Sequence, residues 1–396
     1  MAQQFLLWTG AAVLLASSAL SQQMSFHEET FHGRHAYVAS NGSIRVSALR
    51  GGGHFAEIRF VEGDRARTVN PMRVPHYQTI DPYEFDEARD APLYSGGTVG
   101  RLLSGYMGQL LCLPEFGGLP EAAIVEWKLT GSTVTDQAVT VRYEALLPRT
   151  QFRVGRVLTI PAGLSVMYVE EWAENLAVFG RPMHWVEHAT FGPPFAEPGK
   201  NFLDAPKARW AGSRRGAGLT EAPVEWPRGA DANGSLLDVR SLQPLPHSGR
   251  YNAYLLEAGR PYHYFTMYHS EYPVLVGYVF PARDNPWLLD WEENQSYPQK
   301  PWDGKVVARG IEFGTTPFDE GLRQSLERGR WLGTPVFRWI NGQQRLTTRY
   351  LIFLADIPRG FPGVADLQLK DKAIVVQPRE SRPVLTVPIG DFSFEN

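Results

Sequence analysis

Short apolar runs, interrupted every few residues by glycine or proline, constrain the fold of this chain more than any other feature. The 396 residues include 38 glycines and 30 prolines, scattered along the sequence rather than clustered. Such spacing favours many short strands and turns over long helices. The runs themselves are rich in Val, Ile, Tyr, Phe and Trp, and SIRVSAL alternates polar and apolar residues as a half-buried strand does.

Runs of this kind continue from about residue 35 onward and predict an all-β protein, a large antiparallel β-sandwich with few short helices. The best helix candidate is DEGLRQSLERGRWLG from Asp319, which has an acidic start, apolar residues at Leu322 and Leu326, and a closing glycine. The segment from Gly192 to Gly249 is rich in Pro, Gly and charge. We expect long surface loops there, with short strands at most.

The chain is predicted to carry a signal peptide over residues 1–21 and a single sandwich domain over residues 22–396. An uncharged apolar stretch from Phe5 to about Leu20 ends at Ala19-Leu20-Ser21, which has the small residues that a signal peptidase prefers. This predicts a secreted or periplasmic protein with no stable membrane insertion after cleavage. No Lys or Arg precedes the stretch, and an N-terminal anchor helix is the alternative. No repeat is visible, which argues against a propeller or solenoid.

Composition excludes several classes of protein. A hydrophobic content of 43% with 20% charged residues is ordinary for a folded globular chain and excludes a disordered or multi-spanning one. A net charge of -3 gives no basic footprint for nucleic acid. RGGGHF lacks the lysine and helix context of a phosphate loop. The single cysteine, Cys112, lies in the apolar run LLCLP and is interpreted as a buried structural thiol.

The segment HWVEH contains the spacing H-x-x-E-H, which is a zinc motif when both histidines lie on one face of a helix. Pro182 before the motif and a Gly-Pro-Pro sequence after it are poor helix context. In a strand, His184 and His188 would share one face with Val186, and Glu187 would point to the other. We therefore expect no metal here and interpret His184 as a hydrogen-bonded structural residue.

Glu312 lies in KVVARGIEF, which is typical of a strand. Gly310, Ala308 and Val306 share its face and are small or apolar, which would leave room for a ligand in front of the carboxylate. Arg309 points to the opposite face and is not an obvious partner. A carboxylate on an apolar face is costly to bury unless it is paired or functional.

Paired acids and tryptophans are compatible with sugar chemistry without deciding it. Glu170-Glu171 and the DWEE segment contain adjacent carboxylates, but glycosidase chemistry depends on a carboxyl separation that sequence does not supply. Trp287, Trp291 and Trp302 could stack on sugar faces or pack in the core, and the sequence favours neither.

Three segments resemble the aldose 1-epimerase family, the galactose-mutarotase-like proteins, and more closely its exported branch. SNGSIRVSALRGGGHFAEIRF is similar to the family's opening strands, which run into a Gly-rich turn. HATF resembles the motif whose His is the general acid of the family, here His188. RGIEFGTTPFD resembles the motif whose Glu is the general base, here Glu312.

The resemblance implies a β-supersandwich with a solvent-facing sugar cleft and no cofactor. It also assigns substrate-binding residues. VGRLLSGYMG keeps Arg101 of the family's Gly-Arg pair but lacks the Asn-Arg that usually follows. The family has an early His that helps to hold the sugar, whereas this chain has no His between His76 and His184. Gln109 is expected to occupy a position similar to that of the missing His, and Trp291 is expected to stack on the sugar.

The resulting hypothesis is a sugar-binding protein that interconverts the anomers of an aldose through general acid–base catalysis by His188 and Glu312. One imidazole and one carboxylate suffice for this chemistry, because both can titrate near neutral pH. The alternative from another class is a non-catalytic carbohydrate-binding protein on the same fold, which the missing early His favours. A polysaccharide hydrolase or lyase is a third interpretation. The expected ligand is a small sugar or an oligosaccharide.

Overall fold

Two large antiparallel β-sheets packed face to face form the centre of the protein. The computed structural model describes residues 24–213, 223–231 and 233–394. The predicted fold class, an antiparallel β-sandwich with few short helices, is confirmed. The predicted signal peptide lies outside the described residues.

The strands of the first half of the chain are short, as the spacing of glycine and proline predicts. They are β1 (Ser25–Phe31), β2 (Arg34–Ser40), β3 (Ile44–Leu49), β4 (Phe55–Phe60), β5 (Leu110–Cys112), β6 (Lys128–Val134), β7 (Ala138–Leu147), β8 (Phe152–Pro161), β9 (Val166–Asn175), β10 (Arg181–Met183), β11 (Val186–Phe191), β12 (Asn201–Asp204) and β13 (Ala208–Ser213).

The second half continues in the same way. Its strands are β14 (Arg228–Ala230), β15 (Leu236–Asp238), β16 (Ser248–Leu256), β17 (Tyr262–His269), β18 (Val274–Pro281), β19 (Trp287–Asn294), β20 (Val307–Gly314), β21 (Arg330–Trp331), β22 (Thr334–Pro335), β23 (Arg338–Ile340), β24 (Arg345–Asp356), β25 (Val364–Lys370), β26 (Ala373–Pro378) and β27 (Leu385–Pro388).

The two large sheets have six and eight strands. The six-stranded sheet has the order β13-β16-β19-β20-β11-β5, and the eight-stranded sheet has the order β12-β17-β18-β24-β9-β8-β7-β6. Strands β1–β4 form a separate four-stranded sheet, and β25–β27 form a three-stranded sheet. Strand β11 pairs with β20 on one side and with β5 on the other, so it lies within the six-stranded sheet.

Alternation along the strands sorts the side chains into layers. On β11, Ala189 and Phe191 belong to the core cluster that includes residues of both large sheets, whereas Val186 belongs to a second cluster on the other face of the six-stranded sheet. The far side of the eight-stranded sheet is covered by the three-stranded C-terminal sheet. Each fully buried Val, Leu or Phe stabilises the fold by roughly 1.5–3 kcal/mol, so both faces of the six-stranded sheet are fixed by packing.

Three α-helices occur in the described chain: α1 (Glu87–Tyr94), α2 (Gly97–Gly105) and α3 (Gly321–Arg328). Helix α3 lies within the segment predicted from Asp319. Helices α1 and α2 lie outside the predicted helix, and their Pro92 and glycines are residues that normally disfavour a helix interior. Asp86 stabilises the start of α1 by accepting a hydrogen bond from the Arg89 backbone N–H at 2.9 Å. Among the described residues no helix has the length and apolar character needed to cross a membrane.

Candidate active site

His188 on β11 and Glu312 on β20 are directly opposite each other in the antiparallel register of the six-stranded sheet. Cross-strand neighbours of this kind bring their side chains together on one face. His188 Nε2 lies 3.1 Å from Glu312 Oε1. The Glu312 side chain is 1% exposed and that of His188 is 13% exposed, so the imidazole is the member of the pair that reaches the surface.

The strand alternation around Glu312 is as the sequence predicts. Arg309 lies on the opposite face, where it forms hydrogen bonds to Asp290 at 2.8 and 3.0 Å. The space above Gly310, by contrast, is not open. A Cβ atom at this position would lie 2.7 Å from His188 Cε1 and 2.8 Å from Trp291 Cε3. The glycine is therefore required because two aromatic rings pack directly on its backbone.

A chain of hydroxyl groups continues from the other nitrogen of the imidazole. Thr190, two residues along β11 on the same face, places Oγ1 at 3.0 Å from His188 Nδ1. The Tyr106 hydroxyl lies 2.6 Å from Thr190 Oγ1 and 3.5 Å from His188 Nδ1. Hydroxyl groups both donate and accept, so Thr190 can bond to His188 whether Nδ1 carries a proton or not.

Burial controls the protonation of this group of residues. It lowers the pKa of His188 to about 4, because the imidazolium loses its hydration. Burial also raises the pKa of Tyr106 above its ordinary value, so the phenol stays neutral. Burial thus favours a neutral imidazole, and a neutral His188 can donate from Nε2–H to Glu312 while Nδ1 accepts from Thr190.

Aromatic rings surround the His188 imidazole on several sides. Tyr106, Trp291 and Phe116 all meet it edge to face, with ring centroids at 5.9, 5.8 and 6.4 Å. Trp302 adds a second layer, stacked on Tyr106 at 6.3 Å and tilted against Trp291 at 5.9 Å. Aromatic faces of this kind suit the apolar faces of a pyranose ring and exclude water from the polar pair.

Arg73 lies behind this aromatic group. Its guanidinium carbon is 4.8 Å from the centre of the Tyr106 ring and 5.6 Å from that of Trp302. The side chain is buried and donates from Nη1 to the Tyr106 carbonyl at 2.5 Å. The sequence analysis did not identify Arg73, Tyr106 and Phe116. These residues lie outside the strands and far from His188 in the sequence, so strand alternation gives no signal for them. Thr190 could have been found from the alternation that placed His188.

Of the three predicted substrate-binding residues, the structure brings only Trp291 next to the pair. Arg101 on α2 donates to the carbonyls of Pro82 and Phe85 at 3.3 and 3.2 Å. It therefore holds the turn before α1. Trp287, by contrast, is fully buried and donates to the Pro335 carbonyl at 3.2 Å.

Gln109 has its side chain in the interior cluster rather than beside His188. Its amide donates to Glu187 at 2.6 Å and to Tyr350 at 2.9 Å, and accepts from Tyr278 at 3.0 Å. Glu187 is on the face of β11 opposite to His188. Burial raises the pKa of Glu187 well above its ordinary value, and the nearby Glu171 raises it further. This cluster packs on the face of β11 opposite to His188, and the Gln109 side chain is therefore not in position to contact a ligand at His188.

The H-x-x-E-H spacing does not assemble a metal site. His184 is buried and accepts a hydrogen bond from the Phe116 N–H at Nδ1, 3.0 Å away, whereas Glu187 points into the core. The described residues contain one group of three side chains close enough to share an ion: His35, Asp81 and Glu84. That group is on the four-stranded sheet and the adjoining turn, and its Asp81 is already paired with Arg34 at 3.1 Å.

Comparison with known proteins finds its matches among solved structures. No family model and no curated protein matches the sequence. A proposed aldose 1-epimerase from Klebsiella pneumoniae matches with a TM-score of 0.58 and 12% identity over 84% of each chain. A galactose mutarotase-like protein from Clostridium acetobutylicum matches with a TM-score of 0.57 and 12% identity over 85% of this chain and 100% of the other.

A proposed mutarotase from Salmonella typhimurium also matches, with a TM-score of 0.53 and 11% identity over 84% of this chain and 94% of the other. At these identities the similarity is one of fold. The chain thus has the galactose-mutarotase-like sandwich that the resemblance implied, and its neighbours in fold carry names from carbohydrate chemistry.

Proposed function

We propose that the protein interconverts the anomers of an aldose, with His188 as general acid and Glu312 as general base. The observation that carries this proposal is the 3.1 Å separation of His188 Nε2 and Glu312 Oε1. The ring oxygen and the anomeric hydroxyl of a pyranose are bonded to the same carbon, so an acid and a base that act on both must be close neighbours. The aromatic rings around His188 supply the surface on which the sugar would lie.

In the reactive form His188 has taken up a proton from solvent, so that each ring nitrogen carries one, and Glu312 is ionised. Nδ1–H then donates to Thr190 Oγ1, and Nε2–H faces the ring oxygen of the bound sugar. Glu312 removes the proton of the anomeric hydroxyl while Nε2–H protonates the ring oxygen, and the bond between the ring oxygen and the anomeric carbon breaks. The products are an open-chain aldehyde, a new hydroxyl, neutral His188 and protonated Glu312.

Ring closure uses the same two groups in reverse. The aldehyde group first rotates about the C1–C2 bond. Glu312 then returns its proton to the carbonyl oxygen while His188 takes back the proton of the attacking hydroxyl. Microscopic reversibility lets one pair serve both directions. The lowered pKa of His188 makes its imidazolium a stronger acid than an exposed one, which suits it to protonate a weakly basic ether oxygen.

The test is the rate of anomerisation of several aldoses above the buffer background, followed by exchange NMR or polarimetry. General acid–base groups contribute roughly 10²–10⁴-fold, so Glu312→Gln and His188→Asn should each lower kcat by that order. Glu28, exposed on β1, provides a matched control, Glu28→Gln, which should keep the full rate. Wild type and Glu312→Gln proteins with the same negligible rate on every aldose would refute the enzymatic proposal.

A non-catalytic carbohydrate-binding protein is the second candidate. The direct His188–Glu312 contact favours it, because each group already satisfies the other without a ligand. This candidate requires sugar binding by the wild type with no turnover, and binding that survives in both His188→Ala and Glu312→Gln. Isothermal titration alongside the exchange measurement separates the two candidates.

A further inference from the structure

Arg73 has donors that no part of the described chain uses. Its side chain is buried, with 2% of the residue exposed, and Nη1 bonds to the Tyr106 carbonyl. Nη2 is buried and meets no hydrogen-bond acceptor among the described residues, and no described carboxylate lies within ion-pair distance of the guanidinium. A buried guanidinium is costly unless its donors and its charge are matched.

A second orphan donor lies beside the first. Trp302 is 7% exposed, and its indole Nε1–H also meets no acceptor in the described part of the chain. The Arg73 guanidinium carbon is 5.6 Å from the Trp302 ring, and both residues pack on Tyr106, whose hydroxyl belongs to the chain leading to His188. Two unmatched donors on side chains that pack on the same Tyr106 ring indicate a ligand group with several acceptor oxygens.

The charged groups that act on His76, three residues after Arg73, are mainly positive. His76, exposed nearby, has its pKa lowered by burial first and then by the charges of Arg73 and Lys305, while Asp303 acts in the opposite direction. Exposed Asp303 is the carboxylate that partly offsets this charge. The negative group of the proposed active site, Glu312, is paired with His188, and the ring of Tyr106 packs on that imidazole. One end of the site is therefore cationic and the other carries the proton-transfer pair.

We propose that Arg73 and Trp302 bind an anionic substituent of the sugar, a carboxylate or a phosphate, at the end remote from the anomeric carbon. This inference rests on the proposed function, because it places the anomeric carbon at His188 and Glu312. A planar guanidinium holds such groups through charge-assisted hydrogen bonds, and its contact with Tyr106 orients it. The proposed substrate is a sugar acid or a sugar phosphate rather than a neutral hexose.

Binding, not turnover, provides the test, so that it is separate from the test of catalysis. Isothermal titration compares galactose with galacturonate and glucose with glucose 6-phosphate, on wild type, Arg73→Gln and Arg73→Lys. A charge-assisted bond of about 1.5–3 kcal/mol corresponds to roughly 10–150-fold in affinity. Wild type should prefer one anionic sugar over its neutral partner by that factor. The pair that shows the preference distinguishes carboxylate from phosphate.

In Arg73→Gln the preference should fall to near unity, and in Arg73→Lys a part of it should remain. Arg142→Gln, which removes an exposed arginine of β7, is the matched control and should keep the wild-type preference. Equal affinity of wild type for charged and neutral sugars, or a preference that survives in a folded Arg73→Gln protein, overturns the inference. If Arg73→Gln does not fold, the inference is tested on the wild type alone. Its preference for the anionic sugar should weaken as the salt concentration rises, and a preference that does not change with salt overturns the inference. A preference without turnover removes the proposed catalysis and leaves this site standing.

Discussion

Replacement of Gly310 by alanine perturbs the proton-transfer pair without changing either of its members. The added methyl group would lie 2.7 Å from His188 Cε1 and 2.8 Å from Trp291 Cε3, whereas carbon atoms in contact normally stay about 3.5–4.0 Å apart. One or both rings must retreat by roughly 1 Å. His188 is held 3.1 Å from Glu312, so a shift of this size is enough to break their hydrogen bond.

The two consequences of the substitution differ in size. Overpacking a well-packed region typically costs about 1–3 kcal/mol, and alanine recovers about 0.5–1 kcal/mol in a strand interior because glycine is entropically unfavourable there. The net loss of stability should therefore be modest, roughly 0–2.5 kcal/mol. A misplacement of about 1 Å, however, can lower the rate of a catalysed step 10²-fold. Activity should fall far more than stability.

The assay pairs exchange NMR of anomerisation with urea unfolding of the same samples. Gly131→Ala is the control, because Gly131 lies in strand β6 and a methyl group there meets nothing within 4 Å. It should leave both the rate and the unfolding free energy close to wild type. A Gly310→Ala protein with the wild-type rate would refute the argument that the position of His188 over Gly310 controls the reaction.

Thr190→Val removes the hydroxyl that bonds to His188 Nδ1 and leaves the Tyr106 hydroxyl only its longer contact with that nitrogen; kcat should fall roughly 10–100-fold, whereas Thr190→Ser should retain most of it. Acidification should destabilise the protein, because burial lowers the pKa of His263 to about 4 from an ordinary value near 6.5. Between these values the unfolded chain binds a proton that the folded chain does not, so stability rises with pH. Unfolding at pH 4.5 and pH 7 should show a smaller difference for His263→Gln than for wild type, and an identical difference would contradict the assignment.

Strand alternation was the part of the structure that the sequence predicted best. It placed Glu312 and Arg309 on opposite faces of β20, and it placed His188 and Glu187 on opposite faces of β11. The period of a strand is local, so a few consecutive residues suffice to define it. Helix α3 was predictable for the same reason, since its capping and spacing signals lie within one segment.

Residues that reach the site from loops could not be predicted in this way. The resemblance implies Arg101 and Gln109 as substrate-binding residues, yet Arg101 holds a turn and Gln109 lies between the sheets. What decides their roles is the path of the chain from Arg73 to Tyr106, which contains α1 and α2. That path depends on packing between distant segments, and a single sequence carries little signal for it.

The charge distribution of the site bears on how a ligand would be oriented. Arg73 and His188 both pack on Tyr106. Arg73 has an unmatched donor group, whereas His188 is paired with Glu312. A neutral sugar could enter such a site with either end toward His188, because its hydroxyl groups are similar around the ring. An anionic sugar could not, since its charged group would be repelled by Glu312 and attracted by Arg73. A fixed orientation would place the anomeric carbon next to His188 and Glu312 in every binding event. A single imidazole and a single carboxylate would then suffice for the proposed interconversion of anomers.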